Sequence, residues 1–244
     1  NTTQKSTAHV NTDRMPLPRE IRQLYRNITL CADILFIGRI ICFGTISQKV
    51  LFTSIQPIKN RKKVETILPH IAVIRDIYRT RGFKVTHLLT DTEFSVLRNP
   101  LMAMGITLNV TSADEHVPEI ERNIRYLKEK VRGTVNSLPF RVLPRVLLNG
   151  SIHDATKWMN MFPCKAGIPN MSPRLILTGL RTDVKIHCRV PIGSYCHVHD
   201  EPNPSNTNIP RSTGAIALHV QANVQGGYNF INLTTWKVIQ RRSW

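Results

Sequence analysis

The longest apolar stretch in this chain, residues 30–46, is interrupted in ways that decide what it can become. Asp33, Gly38 and Arg39 fall inside it, so it does not read as a membrane-spanning helix. Divided at Gly38-Arg39, it yields two β-branched segments, 30–37 and 40–47, joined by a two-residue turn, which is a hairpin signature. Residues 50–55 offer a third strand, and three adjacent antiparallel strands are expected. Asp33 is then the anomaly. A carboxylate inside Leu-Cys-Ala-Asp-Ile-Leu-Phe-Ile is costly to bury without a partner or a metal ion, although strand alternation also allows it to face solvent.

Beyond the hairpin the hydrophobic period changes. After the basic stretch Lys59-Asn-Arg61-Lys62-Lys63, apolar residues recur at helical spacing from Val64 to Tyr78 until Gly82 stops them. Pro69 falls inside that pattern and either kinks the helix or marks its first turn. Residues 85–90 read as a strand, 94–104 as a short helix, 107–111 as a strand, and a long helix opens near Pro118. The order βββ-α-β-α-β-α predicts an α/β fold, a mixed sheet flanked by helices. Beyond Pro144 a further helical stretch runs through 158–162, and 163–173 reads as a loop. From about residue 184, short strands at 195–199, 215–220, 228–233 and 237–241 predict a small all-β module. Residues 1–28, polar and carrying Pro16 and Pro18, read as a flexible lead-in. Three segments are therefore expected: 1–28, a core over 29–183, and a β module over 184–244.

Charge narrows the partner. Lys and Arg total 33 against 16 Asp and Glu, a formal net charge of +17, which points to a polyanion and first to nucleic acid, with no membrane. The five cysteines are scattered without a CxxC pair, so a reduced intracellular protein without a disulfide framework is expected. The His197 and His199 rings share one strand face, but no spacing matches a zinc site. Trp158 and Trp236 read as fillers of core and β module.

Two more carboxylates complement Asp33. Asp91 ends the apolar strand Val-Thr-His-Leu-Leu-Thr, where helix-flanked sheets place ligand-binding groups, or where an Asp simply caps the next helix. In the long helix, Ile120, Ile124, Leu127 and Val131 form the core stripe, while Glu121, Arg125, Lys128 and Arg132 share the neighbouring row. An acid in a central strand, one after a later strand and one on a following helix can converge at one end of a sheet. Such a trio suits Mg²⁺ or Mn²⁺, which prefer oxygen ligands and leave positions open for phosphate oxygens. Glu93 and Glu119, neighbours of the trio, could substitute for its members in a distorted site but read first as surface acids.

Several motifs resemble those of copia-type long-terminal-repeat retrotransposon integrases, closest to copies common in algal and diatom genomes. Thr90-Asp-Thr-Glu-Phe94 resembles that family's Ser-Asp-Asn-Gly-Gly-Glu-Phe, and Ile120-Glu-Arg-Asn-Ile-Arg125 its Val-Ala-Glu-Arg-Lys-Asn-Arg. Trp158-Met-Asn-Met-Phe-Pro163 resembles Leu-Leu-Asn-Arg-Leu-Pro. Ser172-Pro-Arg-Leu-Ile-Leu-Thr-Gly179 resembles Thr-Pro-Tyr-Glu-Leu-Leu-Thr-Gly. Arg211–218 and Gly226–231 echo patterns that follow the copia core. The resemblance implies an RNase H-like core with Asp33, Asp91 and Glu121 as catalytic metal ligands, followed by a small SH3-like barrel. It also implies 3′-end processing and strand transfer of element DNA into target DNA, homo-oligomers, and residence in the nucleus and virus-like particle. Arg125, Lys128, Arg132, Lys59, Arg61, Lys62, Lys63, Lys237, Arg241 and Arg242 are the expected DNA contacts. The Gly-Gly after the second Asp is missing, Asp114-Glu-His-Val-Pro118 replaces the usual Pro-Gln-Gln-Asn-Gly, and the 244 residues contain no His/His/Cys/Cys zinc module. Two other readings stay open: an inactive nucleic-acid-binding or assembly module of a degenerate element, and a hydrolytic nuclease on the same fold.

Overall fold

The computed structural model describes residues 14–59, 64–111, 117–199, 208, 210–221 and 226–244. The described chain divides into two compact units, one formed by residues 14–133 and 155–182, the other by 134–154 and 183–244. Arg61, Lys62, Lys63 and residues 1–13 lie outside the described residues. Among the described residues, no helix is long and apolar enough to cross a membrane.

The larger unit is built on a five-stranded sheet. Strand β1 (Asn27–Ile37) and β2 (Ile40–Ser47) form the expected hairpin, with Gly38 at φ 57° in the turn. Strand β3 (Thr53–Ile58) lies beside β2, and β4 (Lys84–Thr90) and β5 (Thr107–Val110) follow on the other side of β1. The order is β3-β2-β1-β4-β5. The first three strands are antiparallel, and β1, β4 and β5 are parallel. This is the mixed sheet expected from the order of elements in the sequence.

Helix α2 (Val64–Arg79) buries Ile67, Ile71, Ile74 and Tyr78 against the sheet face carrying Ile28, Leu30, Ala32 and Ile34, in one continuous core. Pro69 lies in the helix's second turn, and the helix begins five residues before it, so the proline neither opens α2 nor ends it. After β4 come a 3-10 turn (Thr92–Leu97) and α3 (Arg98–Ala103). Helix α4 (Pro118–Ser137) buries Asn123 along with the apolar stripe expected for it.

Two local expectations are corrected. The third strand begins at Thr53 rather than residue 50, because residues 48–52 are used in a turn. Lys49 and Leu51 take positive φ, the Leu51 N–H reaches the Ser47 carbonyl at 3.0 Å, and the Phe52 N–H reaches the Ser47 hydroxyl at 3.2 Å. The described part of the lead-in is packed, not loose. Residues Arg19–Leu24 form helix α1, Leu17, Ile21 and Tyr25 lie against the core, and the Met15 N–H donates to the Gly179 carbonyl at 2.8 Å. Pairs of prolines hid an amphipathic turn there.

A buried amide joins helix α5 (Arg145–Met161) to the edge of the sheet. Asn160 Oδ1 accepts the Thr53 N–H at 2.9 Å, and its Nδ2 donates to the Thr53 carbonyl at 2.7 Å. The Thr53 hydroxyl in turn donates to Asn123 Oδ1 on α4 at 3.0 Å. Helix α6 (Pro173–Thr178) follows, capped by Ser172, whose hydroxyl accepts the Leu175 N–H.

The second unit contains helix α7 (Val184–His187) and a four-stranded antiparallel meander: β6 (Tyr195–His199), β7 (Ser212–Val220), β8 (Tyr228–Asn232) and β9 (Val238–Arg241). Its two edge strands touch, because Arg241 Nε donates to the His199 carbonyl at 2.7 Å and the His199 N–H approaches the Ser243 carbonyl at 3.5 Å. Leu147, Leu218 and Ile231 form a separate small core. Trp236, expected inside, is 64% exposed at φ 57°, since it sits in the β8–β9 turn. Trp244 packs instead on Tyr228 and Phe230, under the Arg189 guanidinium.

Asn160→Ala would leave two buried backbone groups of Thr53 without partners, at about 1–3 kcal/mol each. Urea unfolding should show a loss of about 2–4 kcal/mol with an unchanged m-value. A loss below about 0.5 kcal/mol would show that water replaces the amide at little cost.

Candidate active site

Asp33 lies in β1 on the row of Cys31 and Leu35, opposite to the face that carries Leu30, Ala32 and Ile34. Its partner across the β1–β2 ladder is Gly44. A Cβ there would come within 2.9 Å of a Leu35 methyl and 3.1 Å of an Ile55 methyl, so glycine is what lets these side chains close in beside the acid. In the parallel ladder Cys31 pairs with Leu89. Carried two residues along both strands, that register sets Asp33 level with Asp91.

Asp91 directly follows β4 and stands at the N-cap of the 3-10 turn, in extended backbone, yet its side chain makes no capping hydrogen bond. Its carboxylate lies 3.5 Å from the Thr111 hydroxyl instead. Glu121, in the first turn of α4, lines a cleft of about 360 Å³ together with Asp33, Ile124, Arg125, Lys128, Glu129 and Arg132. Glu119 points elsewhere, taking a hydrogen bond from Gln48 Nε2 at 3.0 Å. Burial, with a contribution from Glu119, pushes the Cys31 thiol up to about 12.

Burial also pushes the Asp33 carboxyl up to about 6; the Ile34 N–H, 2.6 Å away, opposes this, and the charges of Asp91, Glu93 and Glu121 add to it. Asp33 therefore feels three other acids at once. Glu93, read from sequence as a bystander, belongs to this group, and its place two residues after Asp91 was the only signal. Among the described residues, no three His, Cys, Asp or Glu side chains stand close enough together to hold a metal ion. The donor chemistry nevertheless suits a hard divalent cation, being all carboxylate, and a cation would relieve the like-charge crowding. Shared coordination by Asp33, Asp91 and Glu121 requires the three side chains to draw together.

The expected phosphate-binding residues fall into distinct groups. Arg125 and Lys128 are exposed on the cleft wall. Arg132 lines it too, but its Nη1 lies 2.7 Å from Glu129. Lys59 is exposed just beyond β3, and Lys237 and Arg242 are exposed in the second unit. Arg241 differs: its guanidinium donates to the carbonyls of His199 and Gln240, so it fastens sheet edges.

No protein-family model matches the sequence, and no curated protein matches it. Among solved structures, the catalytic core domain of BIV integrase aligns over 61% of this chain and 92% of its own, with 17% identity and a TM-score of 0.47. The HTLV-2 integrase catalytic core domain in complex with magnesium, in its trimeric form, covers 63% of this chain and 98% of its own at 16% identity, TM-score 0.47. The dimeric form of that domain gives 63%, 97%, 17% and 0.47.

The charge at Asp33 should be readable in stability. Its folded value of about 6 lies above the ordinary 3.8, so the protonated carboxyl favours folding; this contribution is complete below pH 3.8 and is lost as pH rises through about 6. Asp33→Asn should therefore match wild type near pH 3.5. Without divalent ions at pH 7.5 it should exceed wild type by roughly 1–2 kcal/mol, after discounting for partial exposure. Equal urea midpoints at both pH values would mean that Asp33 ionises freely in the fold.

Proposed function

We propose that this chain is a metal-dependent polynucleotidyl transferase, the integrase part of a copia-type retrotransposon. The observation that carries the reading is the meeting of Asp33 and Glu121 in one cleft whose remaining wall presents Arg125, Lys128 and Arg132, with Asp91 level with Asp33 on the neighbouring strand. An acidic end that suits divalent cations beside a cationic row that suits phosphates is what phosphodiester chemistry requires. The copia-like motifs around Asp91, Glu121, Asn160 and Ser172 support the narrower assignment.

In this reading Asp33, Asp91 and Glu121 hold Mg²⁺ or Mn²⁺. Bound there, the ions supply Lewis acidity for in-line attack by water or a DNA 3′-hydroxyl. Arg125 and Lys128 grip the phosphates and set the backbone across the carboxylates, while Arg132, paired with Glu129, extends the same row. Lys59, with Arg61, Lys62 and Lys63, adds phosphate contacts. The reaction is 3′-end processing followed by strand transfer into target DNA, carried out by a homo-oligomer in the nucleus and virus-like particle. The four-stranded unit, whose edge strands touch, is the small barrel of residues 184–244 and adds DNA affinity without taking part in chemistry.

A second reading has its own support. Because the described carboxylates do not reach a common coordination shell, an inactive binding module of a degenerate element would keep the cationic row alone.

Purified chain incubated with Mg²⁺ or Mn²⁺, labelled terminal-repeat ends and a plasmid separates these readings. Joined products are expected from wild type, and background from Asp33→Asn. Cut but unjoined DNA identifies a nuclease. If a wild type carrying an added amino-terminal zinc module is also silent, or if Asp33→Asn joins at full rate, the transferase reading fails. Glu119→Gln should keep activity within about twofold, since its amide oxygen can still accept from Gln48 and the residue does not line the cleft.

The second unit has a separate test. Lys237→Gln with Arg242→Gln should lower the salt slope of DNA binding by up to about 0.9 for each phosphate that is no longer neutralised. Arg241→Gln should lower the unit's stability instead. An unchanged slope in the double variant would remove this unit from the DNA interface.

A further inference from the structure

At the end of the five-stranded sheet remote from the carboxylates, four arginines gather around two glycine turns. Arg81 is held by the main chain: its Nε donates to the Ile176 carbonyl at 3.0 Å and its Nη2 to the Met15 carbonyl at 3.0 Å. The Arg181 Nε lies 2.7 Å from the Met15 sulfur. Gly179, at φ 72°, has the Arg14 Cβ at 3.1 Å and Arg81 Nη1 at 3.3 Å from where its own Cβ would be. Gly82, at φ 82°, similarly admits the Arg22 stem, whose Cδ lies 2.8 Å from that point. Both glycines thus supply turn geometry and the room that these arginine side chains occupy.

Like charges gathered this way repel unless an anion joins them. Among the described residues, Asp76 neutralises Arg75 and Arg79 nearby, whereas no carboxylate pairs with Arg14, Arg22, Arg81 or Arg181. Burial and then the charge of Arg14 push the Arg81 guanidinium below its ordinary value. Arg81, with Nε and Nη2 taken up by carbonyls, adds charge at the centre, and the exposed guanidinium groups of Arg14, Arg22 and Arg181 are left to meet phosphate oxygens.

We infer that Arg14, Arg22 and Arg181, gathered about Arg81, form a second contact for the phosphodiester backbone of nucleic acid, at the opposite end of the sheet from the carboxylates. Strand β4 separates the two ends, roughly 20 Å at ~3.3 Å per residue, so the segment held here is not the one lying on Asp33. The inference does not depend on the carboxylates being catalytic.

The test is binding of a labelled mixed-sequence duplex to the full chain, by fluorescence anisotropy across a salt series. Arg14→Gln with Arg181→Gln should reduce the slope of log affinity against log salt by about 0.9 for each phosphate set free. Arg39→Gln with Lys165→Gln removes the same charge elsewhere and should leave the slope in place. Arg14→Lys with Arg181→Lys should keep most of the slope while losing affinity. On the wild-type protein, which needs no variant to fold, bound duplex should protect Arg14 and Arg181 from phenylglyoxal, read by mass spectrometry. The inference is overturned if the slope is unchanged and the arginines stay reactive, or if the control pair lowers the slope equally. It is also overturned if poly-glutamate protects them and duplex does not. Joining activity is a separate readout, so loss of the transferase reading would leave this result standing.

Discussion

The carboxyl of Asp33 sets the terms for the larger unit. A half-buried acid that feels the charge of three others is unfavourable in isolation, and the fold makes that placement durable instead of avoiding it. Strand β1 is central, paired on both sides and sealed beneath by the α2 core, so it cannot rotate Asp33 away without breaking two ladders. Gly44 keeps the adjoining position small, and α4 comes down across the same face with Glu121 in its first turn. The segment after β4, with Asp91 and Glu93, and α4, with Glu121, also concentrate negative charge at that spot. Neutralising the position would stabilise the fold at neutral pH.

Polar contacts buried elsewhere carry α4 into place. Thr53 is the hinge of this arrangement, with its main chain taken up by Asn160 of α5 and its hydroxyl by Asn123 of α4. Asn123 lies two residues beyond Glu121, on the buried side of the same helix. Hydrogen bonds have defined partners where apolar packing tolerates sliding, so this short chain of amides sets the register of α4 more sharply than Ile120, Ile124 and Leu127 can do by themselves.

Most of the sheet was legible because its signals are local. Two β-branched runs around Gly38, the helical period from Val64 to Tyr78 and the stripe of α4 each announce themselves within a dozen residues. The turn at 48–52 was missed because Val50 and Leu51 are strand-forming by type, and only the distant Ser47 contacts reveal their use. The same blindness affected Arg241, whose charge suggests a phosphate but whose partner, the His199 carbonyl, lies more than forty residues away. Trp236 was misread from composition alone: an indole usually fills a core, but this one occupies a turn with positive φ. For the site, Asp33 stood out by its apolar context, whereas Asp91 and Glu121 were picked out by motif resemblance. Their common surroundings depend on strand order, which no local pattern encodes.

The edge of the five-stranded sheet carries a consequence for how copies of this protein can meet. β3 is an outer strand, and an unprotected outer strand invites another chain to continue the sheet. Here the outward main-chain groups of Thr53 are already occupied by the Asn160 amide, and Pro57, four residues on, has no N–H to offer. Two interruptions within a six-residue strand leave no uninterrupted ladder for a newcomer to read. Self-association along this edge is thereby directed away from backbone pairing and toward side-chain surfaces, which can be specific, reversible and limited in number where a growing sheet is none of these.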